Sequence, residues 1–294
     1  MKKHAYLIMA HDDFALLKTL LKLLDAPYND IYLHVDVKAS IDLDQIRACV
    51  SESRLCFVER MDVKWGGYSL TACEIRLLSE AIKAEHSYYH LLSGHDLPIK
   101  RRDEIYTFFE QNAGVEYIAY NRPRISEGAL RGVARYYGMF KNRFCERIFQ
   151  KVQKFARVDR SKKYGLVYMK GSNWFSITHE LAEYVVANEK LCKKVFRYTR
   201  NSDEIFLQTL VYNSDFKKRL CTDFRDLNYR VLESDRVMAN YRVMDWPDEL
   251  GTAHPKILMM SDLPNLKKSK AFFARKFDSK TDSEVIQAIY ELNR

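Results

Sequence analysis

An α/β fold built on a mostly parallel sheet flanked by helices on both faces is what the sequence predicts, and three observations predict it. Short apolar runs alternate with segments of helical periodicity over the first 120 residues. Polar clusters rich in His and Asp follow several of those runs, where the loops of such a sheet gather. The composition, 47% hydrophobic and 30% charged with only ten glycines and six prolines in 294 residues, belongs to a folded chain with no linker-like stretch. A single domain over 1–294 is therefore expected.

The elements follow in order. Residues 5–10 form an apolar strand, and Phe14, Leu17, Leu20, Leu21 and Leu24 recur at helical spacing until Asp25-Ala26-Pro27 ends the pattern. A second strand is expected at 31–35, a short helix at 43–50 and a third strand at 55–58. After Trp65-Gly66-Gly67-Tyr68-Ser69, with Ser69 as the expected N-cap, a helix carries Leu70, Cys73, Leu77, Leu78 and Ala81 on one face. A fourth strand at 88–92 runs into Ser93-Gly94-His95-Asp96, followed by a helix at 103–111 and a strand at 116–120. Beyond 120 the rhythm loosens: a strand at 174–177, helices near 180–188 and 203–212, short strands and loops from about 227, and a final helix at 283–293.

Several function classes are disfavoured at once. No apolar run approaches the roughly 20 residues that cross a bilayer, so neither a signal peptide nor an anchor is expected. The six cysteines form no CxxC pair and no zinc-like cluster with histidine, as expected of reduced thiols in a cytoplasmic protein. The dinucleotide, P-loop and nucleophile-elbow glycine patterns do not occur. The net charge of +9 favours a polyanionic partner, and it is local: residues 131–163 hold eleven Lys/Arg against two acids.

Four of the ten glycines fall in three polar-aromatic motifs, at Gly66 and Gly67, Gly94 and Gly171, where close backbone approach or positive φ fits loops that wrap a ligand. Seven segments then occur in order: 5–11, 31–36, Trp65-Gly66-Gly67-Tyr68-Ser69, Ser93-Gly94-His95-Asp96 with 97–100, Lys170-Gly171-Ser172-Asn173-Trp174, Asp203-Glu204, and 273–278. In these segments the chain resembles the core-2/I-branching glycosyltransferases, a family that includes β-1,6-N-acetylglucosaminyltransferases and protein xylosyltransferases. The resemblance implies a GT-A-like fold, a UDP-sugar donor, inversion at the anomeric carbon and no metal cofactor. It further implies a nucleotide-binding half at 1–120 and an acceptor-binding and catalytic half at 121–294.

An inverting transfer needs one carboxylate to take the acceptor hydroxyl's proton. The resemblance gives that role to Glu204, at the expected start of a helix, with Asp203 orienting the loop. Lys276 matches the family's diphosphate-binding lysine, with Arg275 beside it, and fixed cations would meet the developing phosphate charge. The animal members place an arginine earlier in the chain, where this sequence has His254-Pro255-Lys256, so either Lys256 or Arg242 is the second phosphate partner. His11 and Asp36 match positions lining the nucleotide pocket. Asp96 contacts the sugar or braces its loop, Trp174 offers an aromatic face to a pyranose, and Glu127 falls where acceptor-contacting charges occur. With neither the anchor nor the disulfides of the animal members in view, the resemblance points to a bacterial-type member moving a sugar, N-acetylglucosamine foremost, onto surface polysaccharide.

Two readings compete. Asp42-Leu43-Asp44 is the one Asp-x-Asp in the chain and could hold a metal, although N-capping explains Asp42 better. Alternatively the basic stretch makes the chain a nucleotide- or nucleic-acid-binding module without catalysis, but no stacking-aromatic module accompanies it, so nucleic acid is not expected. Within that stretch Phe144, Ile148, Val152 and Phe155 form an apolar stripe with Arg143, Arg147, Lys151 and Lys154 beside it. This interfacial pattern over 141–157 would bring the site to a lipid-linked saccharide on an anionic membrane. The alternative is a stripe packed on the core.

Overall fold

Alternate residues of the first strand serve two cores, which is why it lies at the centre of the sheet. In the computed structural model, which describes residues 2–121, 125–140, 142–221, 239–245 and 255–294, β1 (Lys3–Ala10) sends Tyr6 and Ile8 to one face and Ala5 and Leu7 to the other. It is flanked by β2 (Asn29–Val35) and then β3 (Arg54–Val58), all parallel. Helix α1 (Phe14–Leu24) packs Leu16, Leu17, Leu20 and Leu21 beneath them, and α2 (Leu43–Arg47) is a short turn of helix. Helix α3 (Tyr68–Ala81) covers the opposite face with Cys73, Leu77 and Leu78. Its N-cap is Gly67; Ser69 instead accepts from Lys64 N at 2.7 Å, bracing the turn before it.

Strand β4 (His86–Ser93) pairs parallel on the other side of β1, so strand order reverses between β1 and β4. In open α/β sheets that switch point is where ligands lie. A short β5 (Leu97–Pro98) and α4 (Arg102–Gln111) follow, then β6 (Tyr117–Tyr120), α5 (Glu127–Ala134) and α6 (Arg143–Phe155). Strand β7 (Gly171–Thr178) then inserts antiparallel between β4 and β6, completing the order β3-β2-β1-β4-β7-β6. The mostly parallel sheet flanked by helices on both faces is thus present.

Helices α7 (His179–Ala187) and α8 (Glu189–Phe196) close the α3 face. The helix expected over 203–212 is divided: Ser202–Glu204 is a 3-10 turn, Ile205 leaves helical geometry at φ −126°, and α9 runs Phe206–Tyr212. Strands β8 (Arg242–Met244) and β9 (Phe273–Arg275) form a second sheet with β5, separated by α10 (Leu263–Lys268), and α11 (Ser283–Asn293) packs on the α1 face. The irregular region expected from 227 lies partly outside the described residues. Among the described residues no helix is long and apolar enough to cross a membrane.

Candidate active site

At the switch point three chain segments are clasped together. Gly94 N donates to Met9 O at 2.9 Å, seating the loop after β4 against the end of β1. Phe277 N donates to His95 O at 3.0 Å, while His95 Nδ1 lies 2.9 Å from Phe277 O and its Nε2 2.7 Å from Asp12 Oδ1. Ser279 donates to Asp13 through both N and Oγ, at 2.7 and 2.6 Å. The segment after β9 is therefore fastened to both loops, and Lys276 sits in it, between the anchors of Arg275 and Phe277.

Those anchors distinguish the cations. Arg275 donates to Ser93 Oγ (2.8 Å) and to Asp96 Oδ1 (2.7 Å), with its guanidinium 4.4 Å from the centre of the Trp174 ring. Asp96 also accepts from Ser93 N and Oγ, so it braces its loop, the second of the two roles expected of it. Among the described residues no carboxylate lies within ion-pair distance of the half-buried Lys276. Its charge acts on His11, whose pKa is lowered, chiefly by burial. His11 lies beside the clasp, its ring centre 5.7 Å from that of His95.

Arg242 is not among them. It is buried, its guanidinium donates to the carbonyls of Asn240, Leu91 and Phe175 at 2.8 to 3.0 Å, and burial pulls its pKa down to about 9. Its role is to satisfy backbone between the two sheets, and it is withdrawn as a phosphate partner. Lys256 faces carboxylates, 2.9 Å from Asp262 and 3.8 Å from Asp245, and the bond to Asp262 raises its pKa. Asp36, at the end of β2, is buried and accepts from Lys38 N (2.8 Å) and Val63 N (3.0 Å). Burial opposes its ionisation, but these donors hold its pKa below the usual carboxylate range. Asp42 caps α2, accepting from Asp44 N and Gln45 N, as N-capping requires. The tightest group of metal-ligating types among the described residues is instead His11, Asp12 and His95, whose donor atoms lie within 4.8 Å of one another.

The carboxylate end is assembled from other segments. Asn201, at φ +51°, donates its N–H to Gly66 O (2.9 Å), and Thr71 Oγ1 is 2.8 Å from Ser202 Oγ, so the Trp65-Gly66-Gly67 turn and α3 carry the 201–204 loop. Trp65, 65% exposed, stands on that turn. Glu204 pairs with Lys170 at 2.6 Å, both side chains about one third exposed. Behind it Asp203 is buried and its pKa is pushed up to about 7, first by desolvation and then by the Glu204 charge. Glu74 of α3, fully buried, is raised well above its ordinary value by burial and by Asp203, against a weaker effect of the Asn173 amide.

One further expectation changes. Trp174 is 8% exposed and one face is covered by Arg275, so it joins β7 to Arg275 and presents no open platform to a pyranose. Glu127 lies exposed in the first turn of α5, behind the Ser126 cap. Sequence reasoning missed Lys170, Asp12, His95 and Glu74 as members of these clusters. Glu74 had a signal: it lies four residues after Leu70 on the apolar face of α3, where a carboxylate is out of place.

This is an α/β protein with a lysine held at the topological switch point, neutralised by no described carboxylate, and a carboxylate on a separately buttressed loop. The Core-2/I-Branching enzyme family model matches residues 4–267, and the chain belongs to that family. Xylosyltransferase 2 of Rattus norvegicus is 25% identical over 305 residues, covering 97% of this chain and 33% of that protein. Xylosyltransferase sqv-6 of Caenorhabditis elegans is 24% identical over 290 residues, covering 92% of this chain and 34% of its own length. The chain thus spans about one third of the length of these curated relatives. Among solved structures, apo mouse Xyloside xylosyltransferase 1 covers 92% of this chain and 96% of its own, at 10% identity and a TM-score of 0.38.

Proposed function

We propose that the chain is an inverting, metal-independent glycosyltransferase that moves a sugar from a UDP-sugar to a saccharide hydroxyl, with 1–294 acting as one catalytic domain. Glu204 is the base. Oriented by Lys170, it accepts the acceptor's proton while the diphosphate departs toward Lys276. Arg275, fixed by Asp96 and Trp174, holds Lys276 in place and adds positive potential where phosphate charge develops. Lys256, less its two carboxylates, is the remaining second cation. The observation that carries the reading is the Lys276 ammonium, held at the switch point by anchors on both sides and neutralised by no described carboxylate. Asp42 in its capping role supports metal independence over the Asp42/Asp44 alternative.

The sugar is N-acetylglucosamine on the family resemblance, with xylose, named in the relatives, as the competitor. The acceptor belongs to surface glycan synthesis, free or lipid-linked, on the cytoplasmic side. Screening UDP-sugars for thermal stabilisation identifies the donor, since a ligand that binds only the native state raises its melting temperature. Glu204→Gln tests the chemistry: transfer is expected to fall by at least about a hundredfold with UDP affinity unchanged. Unaltered turnover would remove Glu204 as the base.

A further inference from the structure

Helix α6 is mounted inside out. A surface helix of a folded protein normally turns its apolar stripe to the core and its polar face to water. Here the polar side chains face the body. Gly138 N and Phe140 N donate to the two carboxylate oxygens of Glu146, each at 3.2 Å. Tyr136 N donates to Gln153 Oε1 at 2.8 Å, and the Gln150 and Gln153 amides both donate to Tyr136 O, at 2.7 and 2.9 Å.

These bonds fix the roll of the helix. At about 100° per residue, Glu146, Gln150 and Gln153 share one side, and the other side carries Phe144, Ile148, Val152 and Phe155, which are 68%, 46%, 54% and 92% exposed. Met139 and Phe140, just before the helix, are each 47% exposed. A clustered apolar surface of this kind marks a binding face rather than scattered surface residues. Arg143, Arg147, Lys151 and Lys154 are all exposed along one flank. The single acid of the helix, Glu146, is the residue turned inward.

We propose that α6, with Met139 and Phe140, docks this protein on an anionic lipid surface, the apolar stripe entering the acyl boundary and the basic flank meeting the headgroups. The charge pattern favours lipid over a second copy, because self-association through this face would gather eight like charges around one apolar seam. It favours lipid over nucleic acid because half of the outward face is aliphatic and aromatic. An anionic bilayer satisfies both halves of the face. The docking needs no turnover, so it goes beyond the transferase reading and stands apart from it.

The test is co-sedimentation of the full chain with vesicles of phosphatidylcholine alone or with about one third phosphatidylglycerol. Binding is expected with the anionic vesicles only, weakening as salt rises. Each basic residue is worth roughly a fivefold change in such binding, so Arg147→Glu with Lys151→Glu should cost about 25-fold or more. Phe144→Ser with Phe155→Ser should abolish binding without lowering the melting temperature, because both side chains already face solvent. Glu204→Gln should bind vesicles as the parent does, which separates failure of this proposal from failure of the catalytic one. Equal binding to both vesicle types, binding that survives the phenylalanine changes, or a dimer that those changes dissolve in place of vesicle binding would each overturn it.

Discussion

Gly171→Ala tests the scaffold under the carboxylate. A Cβ placed on Gly171 would stand 1.8 Å from Ala119 O, 2.8 Å from Ala119 C and 2.9 Å from Gln208 Nε2. Since real Cβ contacts essentially never fall below 3.0 Å, β6 and β7 would have to part by about 1.2 Å at the Tyr120–Gly171 pairing. Overpacking of this kind costs about 1–3 kcal/mol. Loss of the adjoining hydrogen bonds, including Gln208 Nε2 to Ser172 O at 2.6 Å, adds about 1 kcal/mol. The total, about 2–4 kcal/mol, corresponds to a melting-temperature fall of roughly 4–16 °C or slightly less for a chain of this size. Lys170 precedes the displaced residue and its carbonyl receives Asn121 N, so the Lys170–Glu204 pair should be disturbed and kcat should drop as well. The control is Gly138→Ala, at φ +71° with nothing within 4 Å of the added Cβ, which should cost only about 1–2 kcal/mol of left-handed strain. Urea unfolding and initial-rate assays of both variants decide the matter: a Gly171→Ala protein melting within a degree or so of the parent, with kcat unchanged, would refute the argument.

The remaining expectations concern the charges. Arg275→Lys gives up stacking on Trp174 and leaves buried Asp96 with a weaker partner, so donor KM should rise and melting temperature fall; equal donor KM in Arg275→Lys and parent would remove Arg275 from the phosphate side. Asp203, with a pKa raised from 3.8 to about 7 on folding, contributes stability that is fully present below about 4 and is lost as pH rises through 7. Asp203→Asn carries no such proton, so its stability relative to the parent should climb between pH 4 and pH 7 and then level off. Urea titrations at pH 5 and pH 8 showing a constant difference would contradict that assignment.

Most of the sheet was legible because parallel strands buried on both faces are continuous apolar runs, and 5–10, 31–35 and 88–92 stand out as such. The break at Ile205 was not, since the apolar spacing of Phe206 through Val211 runs on smoothly from Asp203-Glu204, and only the tertiary bonds of Asn201 to Gly66 and Ser202 to Thr71 reshape that turn. The antiparallel insertion of β7 between β4 and β6 has no local signal either, because strand order is set by which edges meet. Among site residues, motif position singled out Glu204 and Lys276 but could not tell engaged cations from available ones. Arg242 and Arg275 look alike in sequence, each ending or beginning a short apolar strand. One is closed off by three backbone carbonyls, the other by a carboxylate and an indole.

The same limit applies to the acid pair. Asp203-Glu204 presents two adjacent carboxylates, and only the family resemblance, not the residues alone, assigned the base to Glu204. Burial separates them. Asp203 and, behind it, Glu74 are buried, and desolvation raises both: Asp203 to about 7, with the Glu204 charge adding to it, and Glu74 well above its ordinary value, with Asp203 adding to it. Glu204 is the member with solvent access and a lysine at 2.6 Å. A base must be ionised, reachable by the acceptor and held in one orientation. Of the two carboxylates on the 201–204 loop, Glu204 is the one reachable from solvent and held by a lysine, which is what suits it to that role.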